Sequence, residues 1–341
     1  MKAARVHGIR DVRIDQVPEP FPAPGEVLLR VPLVTICASD LHVYLRGQIG
    51  GVGWDRPFIP GHEFAGVVLD PNGTDLPKGT RVAVDPAISC GKCDMCLSGH
   101  GNVCRNLQFC AMPPLDGAMR ERIAWRRDAV FPVPDSMDMD EIPLLELLAI
   151  AVHSVELADM PPGATVAVLG CGGMGLCILQ AALAKGAARA LATDLVPERV
   201  EMAKSLGADL AILAAPENPV PALLKATRGH GADVVFEAAG AVETPQQAVE
   251  VCKPAGKVVL VGIPEEDRLP IRLSDARRNE IALINVRRQN ENYAEAISLA
   301  ASGKVKLKPL LTHRFALEHV ARAYEIMETR ADGSIRIGIE M

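Results

Sequence analysis

Four closely spaced cysteines are the clearest candidates for metal chemistry in this sequence. They are Cys90, Cys93, Cys96 and Cys104, with the spacing C-x2-C-x2-C-x7-C. Four thiolates complete a tetrahedral shell around zinc and leave no open position for a substrate, so the predicted zinc ion is structural. Disulfide bonds and an iron–sulfur cluster are the alternatives, and the spacing by itself does not exclude the cluster.

A second candidate metal site is dispersed along the chain. Cys37 lies in TICASDLH, His62 and Glu63 lie in PGHEFAG, and Glu146 lies in LLELLAIAVH. One thiolate, one imidazole and one carboxylate make a three-ligand zinc site with a fourth position for water or substrate, which is typical of catalytic zinc. Each residue also has a simpler interpretation. Cys37 is then a small buried side chain, His62 a hydrogen-bonded core histidine, and Glu146 a solvated helix residue.

The segment GCGGMG at residues 170–175 predicts a dinucleotide site, because it directly follows an apolar run that is typical of a strand. The first glycine permits the tight turn, the second lets the backbone approach a pyrophosphate, and the third lets the helix pack closely on the strand. The N–H groups at the helix N-terminus can bind the phosphates. The predicted cofactor contacts in this turn are Gly170, Gly172, Gly173, Met174 and Gly175.

Asp194 stands at the end of the next predicted strand, where a carboxylate hydrogen-bonds the adenosine ribose. A carboxylate at that place repels a 2′-phosphate, so the sequence predicts NAD rather than NADP. Arg199 follows shortly after, and it either lies over the adenine or is a solvated helix residue.

The elements that must position these residues change character along the chain. Up to about residue 150, short β-like runs at residues 26–31, 66–69 and 80–84 predict a β-rich region with long loops. From about residue 161, apolar runs alternate with Ala-rich helical stretches, which predicts a doubly wound parallel sheet. The alternation at residues 334–340 is expected to return to the N-terminal β-region. The predicted strands of the parallel sheet are residues 165–169, 189–193, 209–213, 233–236, 257–261 and 281–286, and its first helices are residues 175–185 and 197–206.

The composition disfavours several classes of protein. The 341 residues are 49% hydrophobic and 23% charged, with a net charge of −6. Nucleic-acid binders present a basic face, and the longest basic clusters here are pairs such as Arg126-Arg127. No run approaches about 18 apolar residues and the N-terminus lacks a signal-peptide pattern, so we expect neither a membrane span nor secretion. Nine cysteines without a disulfide framework favour the cytoplasm.

These motifs resemble those of the zinc-containing medium-chain dehydrogenase/reductase family, and most closely its polyol (sorbitol or xylitol) dehydrogenase branch. The resemblance covers nearly the whole chain and includes C-x-S-D-x-H at residues 37–42, GHE at 61–63 and KPLLTHRF at 308–315. It implies an α/β protein with two domains. The GroES-like β-rich catalytic domain is expected at residues 1–147 and 288–341, with the structural zinc lobe at 86–110, and the Rossmann domain that binds NAD at 148–287.

The resemblance also implies roles for the dispersed metal site. Cys37 and His62 match the two invariable ligands of the catalytic zinc. Glu146 falls where polyol enzymes carry a glutamate instead of a third cysteine. Glu63 matches a carboxylate beside the metal that can exchange with water as a ligand. The sequence leaves open which of the two glutamates binds the zinc at rest.

Further roles are implied for the residues around that site. Asp40 matches the acid that orients the histidine ligand. Ser39 and His42 match a relay that carries the substrate's proton to water, although a turn cap and a surface histidine are their simpler interpretations. Leu147 stands where many polyol enzymes carry a proline, so the sequence departs from the family pattern at this position. The positions implied to line the substrate pocket are Tyr44, Phe109 and Arg288, of which Arg288 is also implied to contact the cofactor.

The implied activity is oxidation of a secondary alcohol of a polyol or vicinal diol to a ketone, with zinc as Lewis acid and NAD as hydride acceptor. Two zinc ions per chain and a homo-oligomer, either dimer or tetramer, are further expectations. The expected partner is a small-molecule alcohol, not a nucleic acid or a membrane. L-threonine 3-dehydrogenase and an aminocyclitol or sugar-alcohol dehydrogenase are alternatives. A non-catalytic dinucleotide-binding protein and a zinc-ribbon nucleic-acid binder are remote ones.

Overall fold

The chain forms two compact units in the computed structural model, which describes residues 1–49, 51–264 and 268–341. The first unit comprises Met1–Glu146 and Leu307–Met341, and the second comprises Leu147–Lys306. The chain therefore leaves the first unit and returns to it, as the sequence predicted, but the return lies later than residue 288.

Residues 288–306 belong to the second unit, where their side chains and backbone form ion pairs and hydrogen bonds. The Lys185 ammonium lies 2.7 Å from the carboxylate of Glu295. The backbone N–H of Lys306 donates to the side chain of Gln180 at 2.7 Å. Short-range sequence patterns do not show which unit such a connecting helix packs on, so the predicted boundary was too early.

The first part of the chain consists mostly of strands. Its elements in chain order are β1 (Lys2–Gly8), β2 (Asp11–Gln16), β3 (Glu26–Thr35), α1 (Ala38–Arg46), β4 (Gln48–Ile49), β5 (Val52–Gly53), β6 (Glu63–Asp70), β7 (Arg81–Val84), β8 (Ala87–Ile88), α2 (Asp94–Leu97), β9 (Gln108–Phe109), β10 (Arg122–Arg126) and β11 (Val130–Pro132).

The middle and the end of the chain are richer in helix. The elements of the middle part are α3 (Leu145–Ala158), β12 (Thr165–Leu169), α4 (Gly173–Ala184), β13 (Arg189–Asp194), α5 (Pro197–Ser205), β14 (Leu210–Leu213), α6 (Val220–Ala226), β15 (Ala232–Glu237), α7 (Thr244–Val251), β16 (Cys252–Leu260), α8 (Leu273–Arg278), β17 (Ala282–Asn285) and α9 (Tyr293–Ala301). The final elements are β18 (Leu311–Ala316), α10 (Val320–Thr329) and β19 (Arg336–Glu340).

The first unit is built on a sheet with the strand order β11-β7-β6-β3-β19-β18, and β10 also pairs with β3. Alternate side chains of β3 point into the core, and Val27, Leu29 and Val31 are completely buried. This alternation follows from the two-residue period of a strand. β19 pairs antiparallel with β3, with Ile339 opposite Val34. The predicted return of the C-terminal strand is therefore confirmed.

The second unit is a six-stranded parallel sheet with the order β14-β13-β12-β15-β16-β17. The predicted doubly wound sheet is confirmed, since this is the order of a dinucleotide-binding fold. β12 lies between β13 and β15, so the strand order reverses there, and ligands of such sheets bind at the carboxyl ends of the strands beside this point. α4 begins at Gly173, two residues earlier than the sequence predicted.

Within the described ranges, no helix combines the length and apolar character that a bilayer span requires. α3, with 14 residues, is the longest helix there. A membrane-spanning helix needs about 20 consecutive residues that are mostly apolar. This agrees with the lack of a long apolar run in the sequence.

Candidate metal sites and dinucleotide turn

The four predicted zinc cysteines lie together in a lobe of the first unit. Their sulfur atoms all lie within 4.8 Å of one another. The Sγ of Cys93 is 3.5 Å from that of Cys96 and 3.8 Å from that of Cys104. A tetrahedron with zinc–sulfur bonds of about 2.3 Å has sulfur–sulfur distances of about 3.8 Å. The cradle therefore has the size of one zinc ion.

The two alternatives for these cysteines fit the geometry less well. All nine cysteines of the chain are free thiols in the structure, which argues against disulfide bonds. An iron–sulfur cluster places several iron and sulfide ions between its cysteines, so their sulfur atoms would lie farther apart than they do here.

Backbone N–H groups point at the sulfur atoms of this lobe and favour thiolates. The N–H of Cys90 donates to the Sγ of Cys104 at 3.2 Å, and the N–H of Asn106 donates to the same sulfur at 3.3 Å. A hydrogen bond from the backbone of Lys92 lowers the pKa of Cys90 to about 6. Hydrogen bonds of this kind stabilise the deprotonated sulfur that a metal requires.

The second group of metal-ligating atoms comes from two chain segments at one end of the paired strands β3 and β6. Cys37, just before α1, and His62 and Glu63, at the start of β6, place their ligand atoms within 4.8 Å of one another. Gly61 makes this approach possible. Its φ is +89°, and a Cβ there would lie 2.8 Å from the side chains of Met119 and Val34.

Glu146 lies close to this group but is not part of it. Its carboxylate, in the first turn of α3, is not among the atoms that approach within 4.8 Å. Burial raises the pKa of Glu146 to about 7, while the charge of His62 lowers it and that of Glu63 raises it. Of the two candidate glutamates, the described geometry therefore groups Glu63 with the cysteine and the histidine.

Asp40 joins the two segments that carry the candidate ligands. Its Oδ2 accepts a hydrogen bond from the N–H of Cys37 at 3.0 Å, and its Oδ1 accepts one from the N–H of Gly61 at 3.1 Å. The same Oδ1 lies 3.7 Å from Nδ1 of His62. This arrangement leaves the other ring nitrogen for a metal, and it fits the predicted orienting role.

Burial and charge act in opposite directions on the candidate ligands. Burial lowers the pKa of His62, but the charge of Asp40 and the hydrogen bonds that the imidazole ring donates to Asp40 and Cys37 raise it well above its usual value. Burial and the charge of Glu63 raise the pKa of the Cys37 thiol, while His62 lowers it. A cation at the centre would favour the thiolate and the neutral imidazole, because both must lose a proton to bind it.

Glu63 has a further partner, Arg336, that the sequence analysis missed. Thr35 donates its hydroxyl hydrogen to Oε2 of Glu63 at 2.5 Å. Oε1 has no hydrogen-bond partner among the described residues, and it lies 3.5 Å from Nη2 of Arg336. Both charged side chains are buried. A basic residue at an inward position of the alternating strand SIRIGIE was the signal that could have identified Arg336.

In the metal-free protein, we expect Arg336→Met to lower the free energy of unfolding by about 3 kcal/mol, because it removes the guanidinium that faces the buried carboxylate of Glu63. Urea titration of the purified variant measures this change. Arg322→Met is the control, since it removes an exposed pair with Glu325 at 2.8 Å and should cost less than about 1 kcal/mol. Adding Glu63→Gln to Arg336→Met should recover part of the loss, and no recovery would contradict the pairing.

The structure brings some of the other predicted residues to the site and places others elsewhere. The ring centroid of Phe109 lies 5.1 Å from that of His62. Tyr44 is buried and stacks on Tyr324 at 4.4 Å, so it packs in the core and its place does not support contact with substrate. Ser39 and His42 are both half-buried on α1, three residues apart and so on one face of the helix.

The Gly-rich turn has the close approaches that its sequence predicts. Gly170 has a φ of +98°, and a Cβ there would lie 2.8 Å from the backbone nitrogen of Ala239. A Cβ on Gly175 would lie 1.8 Å from the carbonyl oxygen of Gly170. Around Gly172, the N-cap of α4, the nearest heavy atom to a Cβ is Nη1 of Arg199 at 3.9 Å. The turn is therefore packed on one side and open where a phosphate would approach.

Asp194 links the second strand to this turn. Its Oδ2 accepts a hydrogen bond from the N–H of Cys171 at 2.6 Å, and its Oδ1 accepts one from the N–H of Val196 at 2.9 Å. The carboxylate keeps unused lone pairs for a ribose hydroxyl, since each oxygen can accept more than one hydrogen bond. Arg288 belongs to the second unit and has a φ of +55°.

Glu237 is a buried acid at the carboxyl end of β15 that the sequence analysis also missed. Its Oε1 accepts hydrogen bonds from the N–H groups of Ala239 at 2.9 Å and Gly240 at 2.8 Å, and from the hydroxyl of Thr244 at 2.7 Å. Ala239 is the residue that approaches Gly170. Glu237 therefore shapes the loop beside the Gly-rich turn. The signal available in the sequence was an acidic residue at the end of an apolar run, shortly before a glycine.

Comparison with known proteins identifies relatives for both units. Residues 23–135 match the alcohol dehydrogenase GroES-like domain, and residues 173–302 match the zinc-binding dehydrogenase domain. Sorbitol dehydrogenase of Bacillus subtilis (strain 168) is 37% identical over 327 residues, which cover 95% of this chain and 93% of that protein. L-idonate 5-dehydrogenase of Vitis vinifera is 30% identical over 343 residues, which cover 99% of this chain and 93% of that protein.

A solved structure agrees with these relatives. An Escherichia coli oxidoreductase/dehydrogenase of unknown specificity superposes with a TM-score of 0.94 at 31% identity, covering 99% of this chain and 98% of that one. The similarity extends over both units, so it supports the arrangement of elements in each of them.

Proposed function

Because this chain belongs to the zinc-containing medium-chain dehydrogenase/reductase family, in its polyol dehydrogenase branch, we propose that it oxidises a secondary alcohol of a polyol or vicinal diol to a ketone with NAD. The observation that carries the proposal is the buried group of Cys37, His62 and Glu63, with Phe109 beside it, in a chain that also has a dinucleotide turn. The relatives named above act on sorbitol and L-idonate according to their names, and both are polyhydroxylated.

The donor atoms of this group fit zinc. They are a thiolate, an imidazole and a carboxylate, and Oε1 of Glu63 accepts no hydrogen bond from the described residues. We infer that Cys37, His62 and Glu63 hold the ion and that Glu146 is the neighbouring carboxylate that can replace Glu63. When bound, zinc would act as a Lewis acid on the substrate hydroxyl, and NAD would accept the hydride.

The chain's own residues orient this chemistry and move the proton. Asp40 holds His62 so that one ring nitrogen faces the metal. Ser39 and His42, on one face of α1, pass the proton of the substrate hydroxyl towards solvent. Glu63 and Glu146 make the pocket more polar than a pocket lined by cysteines, which suits a substrate with several hydroxyl groups.

The activity is tested by measuring NADH formation from sorbitol, xylitol, vicinal diols, L-idonate, an aminocyclitol and L-threonine. We expect turnover of at least one polyol, diol or polyhydroxy acid, and little turnover of L-threonine. Turnover of L-threonine alone would replace the proposed substrate class. A protein with zinc bound that oxidises none of these compounds would contradict the proposal.

We propose two zinc ions per chain. Cys104→Ala should remove the zinc ion of the four-cysteine lobe and leave one zinc ion per chain. We also expect the thermal midpoint to fall by about 10 °C, since a structural zinc contributes directly to folding and a unit of this size loses a few degrees per kcal/mol. Metal analysis and a thermal melt measure the two effects. Cys252→Ala, which removes a buried cysteine of the second unit, is the control and should keep both ions. An unchanged zinc content in the Cys104 variant would exclude the four-cysteine site.

Asp194→Ala should raise the Kd for NAD about tenfold, because it removes hydrogen bonds to the ribose worth about 1.4 kcal/mol together. Binding titrations with NAD and NADP measure both affinities. Asp194→Asn is the matched control, since it keeps a polar side chain but removes the charge, and it should relax the discrimination against NADP. An unchanged ratio of the two affinities in both variants would contradict the proposed ribose contact.

Quaternary state and location are proposals as well. We propose a homo-oligomer, either dimer or tetramer, with a small-molecule alcohol as the partner, and a cytoplasmic protein. Light scattering of the purified chain tests the first of these.

A further inference from the structure

Tyr324 on α10 carries a buried hydroxyl that the proposed chemistry does not use. The side chain is completely buried, and its ring stacks on that of Tyr44 at 4.4 Å with 14° between the planes. The Tyr324 hydroxyl has no hydrogen-bond partner among the described residues. The hydroxyl of Tyr44, in contrast, donates to the carbonyl oxygen of Arg10 at 3.4 Å. The two stacked phenols therefore differ in how their hydroxyl groups are satisfied.

A buried hydroxyl without a partner is costly. Leaving such a donor unsatisfied costs about 1–3 kcal/mol, whereas phenylalanine would fill the same volume without that cost. Buried polar groups that lack a protein partner are commonly satisfied by enclosed water, provided that the water has two or more polar neighbours. A water beside the Tyr324 hydroxyl would therefore need a second polar group nearby.

The groups whose charges act on the Tyr324 hydroxyl belong to α1 and its N-cap. Burial raises the pKa of Tyr324 well above its usual value, and the negative charges of Asp40, Tyr44 and Cys37 raise it further. Asp40 precedes Tyr44 by about one helical turn, so both side chains lie on one face of α1, and the Tyr324 ring stacks on Tyr44 of that face.

Asp40 can accept one more hydrogen bond. An ionised carboxylate offers about four acceptor sites. Oδ1 of Asp40 accepts from Gly61 and faces His62, while Oδ2 accepts from Cys37 alone among the described residues. An enclosed water between Oδ2 and the phenol would satisfy both groups.

We propose that Tyr324 is a positioning residue for the metal site, and that its hydroxyl donates through one enclosed water to Asp40. Asp40 in turn holds His62, so the hydroxyl helps to keep the imidazole oriented towards the metal. The inference rests on the proposed function only in requiring that His62 binds zinc. It does not depend on which alcohol is the substrate.

Zinc release from the full-length protein to a chromophoric chelator tests this inference. We expect two phases, one from the Cys37–His62–Glu63 site and one from the four-cysteine lobe. Tyr324→Phe should accelerate the first phase by about three- to tenfold, somewhat less than the 10–100-fold effects of direct partners of a ligand. The second phase should not change. Tyr293→Phe, which removes a buried phenol from the second unit, should leave both phases unchanged.

A double-mutant cycle distinguishes positioning through Asp40 from a general loosening of the core. Asp40→Asn alone should accelerate the first phase more than Tyr324→Phe does. Adding Tyr324→Phe to Asp40→Asn should then have little further effect, because the two residues act in series. If Tyr324→Phe fails to fold, Tyr324→Met supplies a smaller but flexible apolar side chain for the same cycle.

Three results would overturn the inference. The first is that the first phase of zinc release is as slow in Tyr324→Phe as in the wild type, and the second is that both phases are accelerated equally. The third is that the rate effects of Tyr324→Phe and Asp40→Asn multiply fully in the double variant. Absence of the first phase would reject both this inference and the proposed zinc site. Inactivity towards all alcohols with a normal first phase would reject the proposed function alone, since zinc release requires no substrate.

Discussion

His62→Ala is expected to lower kcat/KM by about a thousandfold or more, since a lost Lewis acid removes several kcal/mol of stabilisation and each 1.4 kcal/mol is a factor of ten. The physical reason is the position of His62 at the centre of the candidate site. Its ring lies among the donor atoms of Cys37 and Glu63, and Asp40 lies 3.7 Å from its Nδ1. Steady-state kinetics with the preferred alcohol measure the loss.

The same variant should lose one zinc ion per chain while the four-cysteine lobe keeps its own. Metal analysis of purified His62→Ala checks this independently of activity. His230→Ala is the control, because His230 is exposed on the second unit and should alter neither zinc content nor activity. Near-normal activity in His62→Ala, or two retained zinc ions, would refute the proposed zinc site.

The second large effect is expected at Gly175. A Cβ at this position would lie 1.8 Å from the carbonyl oxygen of Gly170, which is backbone and cannot rotate away. Gly175→Ala should therefore shift α4 from β12 and lower the free energy of unfolding by about 3 kcal/mol or more. NAD binding should be lost together with stability. Urea denaturation and a binding titration measure the two effects.

Gly172→Ala is the matched control for the same turn. Apart from its chain neighbours, the nearest described heavy atom to a Cβ there is 3.9 Å away, and its φ of −67° suits alanine. Stability should therefore be unchanged, while the added methyl group occupies the place where a pyrophosphate would approach, so NAD should bind at least tenfold more weakly, a cost of about 1.4 kcal/mol. Equal NAD affinity in Gly172→Ala and the wild type would contradict the predicted cofactor turn. Equal stability of Gly175→Ala and the wild type would contradict the close packing.

Much of the fold could be predicted from local patterns. The apolar runs at residues 165–169 and 189–193 coincide with β12 and β13, because fully buried parallel strands have near-continuous apolar sequence. The return of the chain after the second unit was also predicted from an alternating strand. The boundary at residue 307 was not predicted. α9 would have the same amphipathic sequence pattern whichever unit it packed on, so the pattern does not assign it to a unit.

The residues that sequence analysis missed are single side chains that local patterns do not distinguish. Arg336 and Glu237 are charged residues in mostly apolar strands, and Tyr324 lies on the buried face of an amphipathic helix. Their importance depends on what faces them, and those partners are distant in sequence. Arg336 faces Glu63 across the sheet, at 3.5 Å. Tyr44, which the resemblance places in the substrate pocket, is buried and stacks on Tyr324, so its contact with substrate stays a prediction.

By itself, the sequence determined the types and the grouping of the metal donors in the four-cysteine lobe and the backbone requirements of the Gly-rich turn. Both depend on spacing within a short segment, and short spacing restricts the possible geometry strongly. The assembly of the dispersed site was decided only by the tertiary structure. Cys37, His62, Glu63 and Glu146 come from three separate segments, and the antiparallel pairing of β3 with β6 and the hydrogen bonds of Asp40 place Glu63 rather than Glu146 beside the cysteine and histidine.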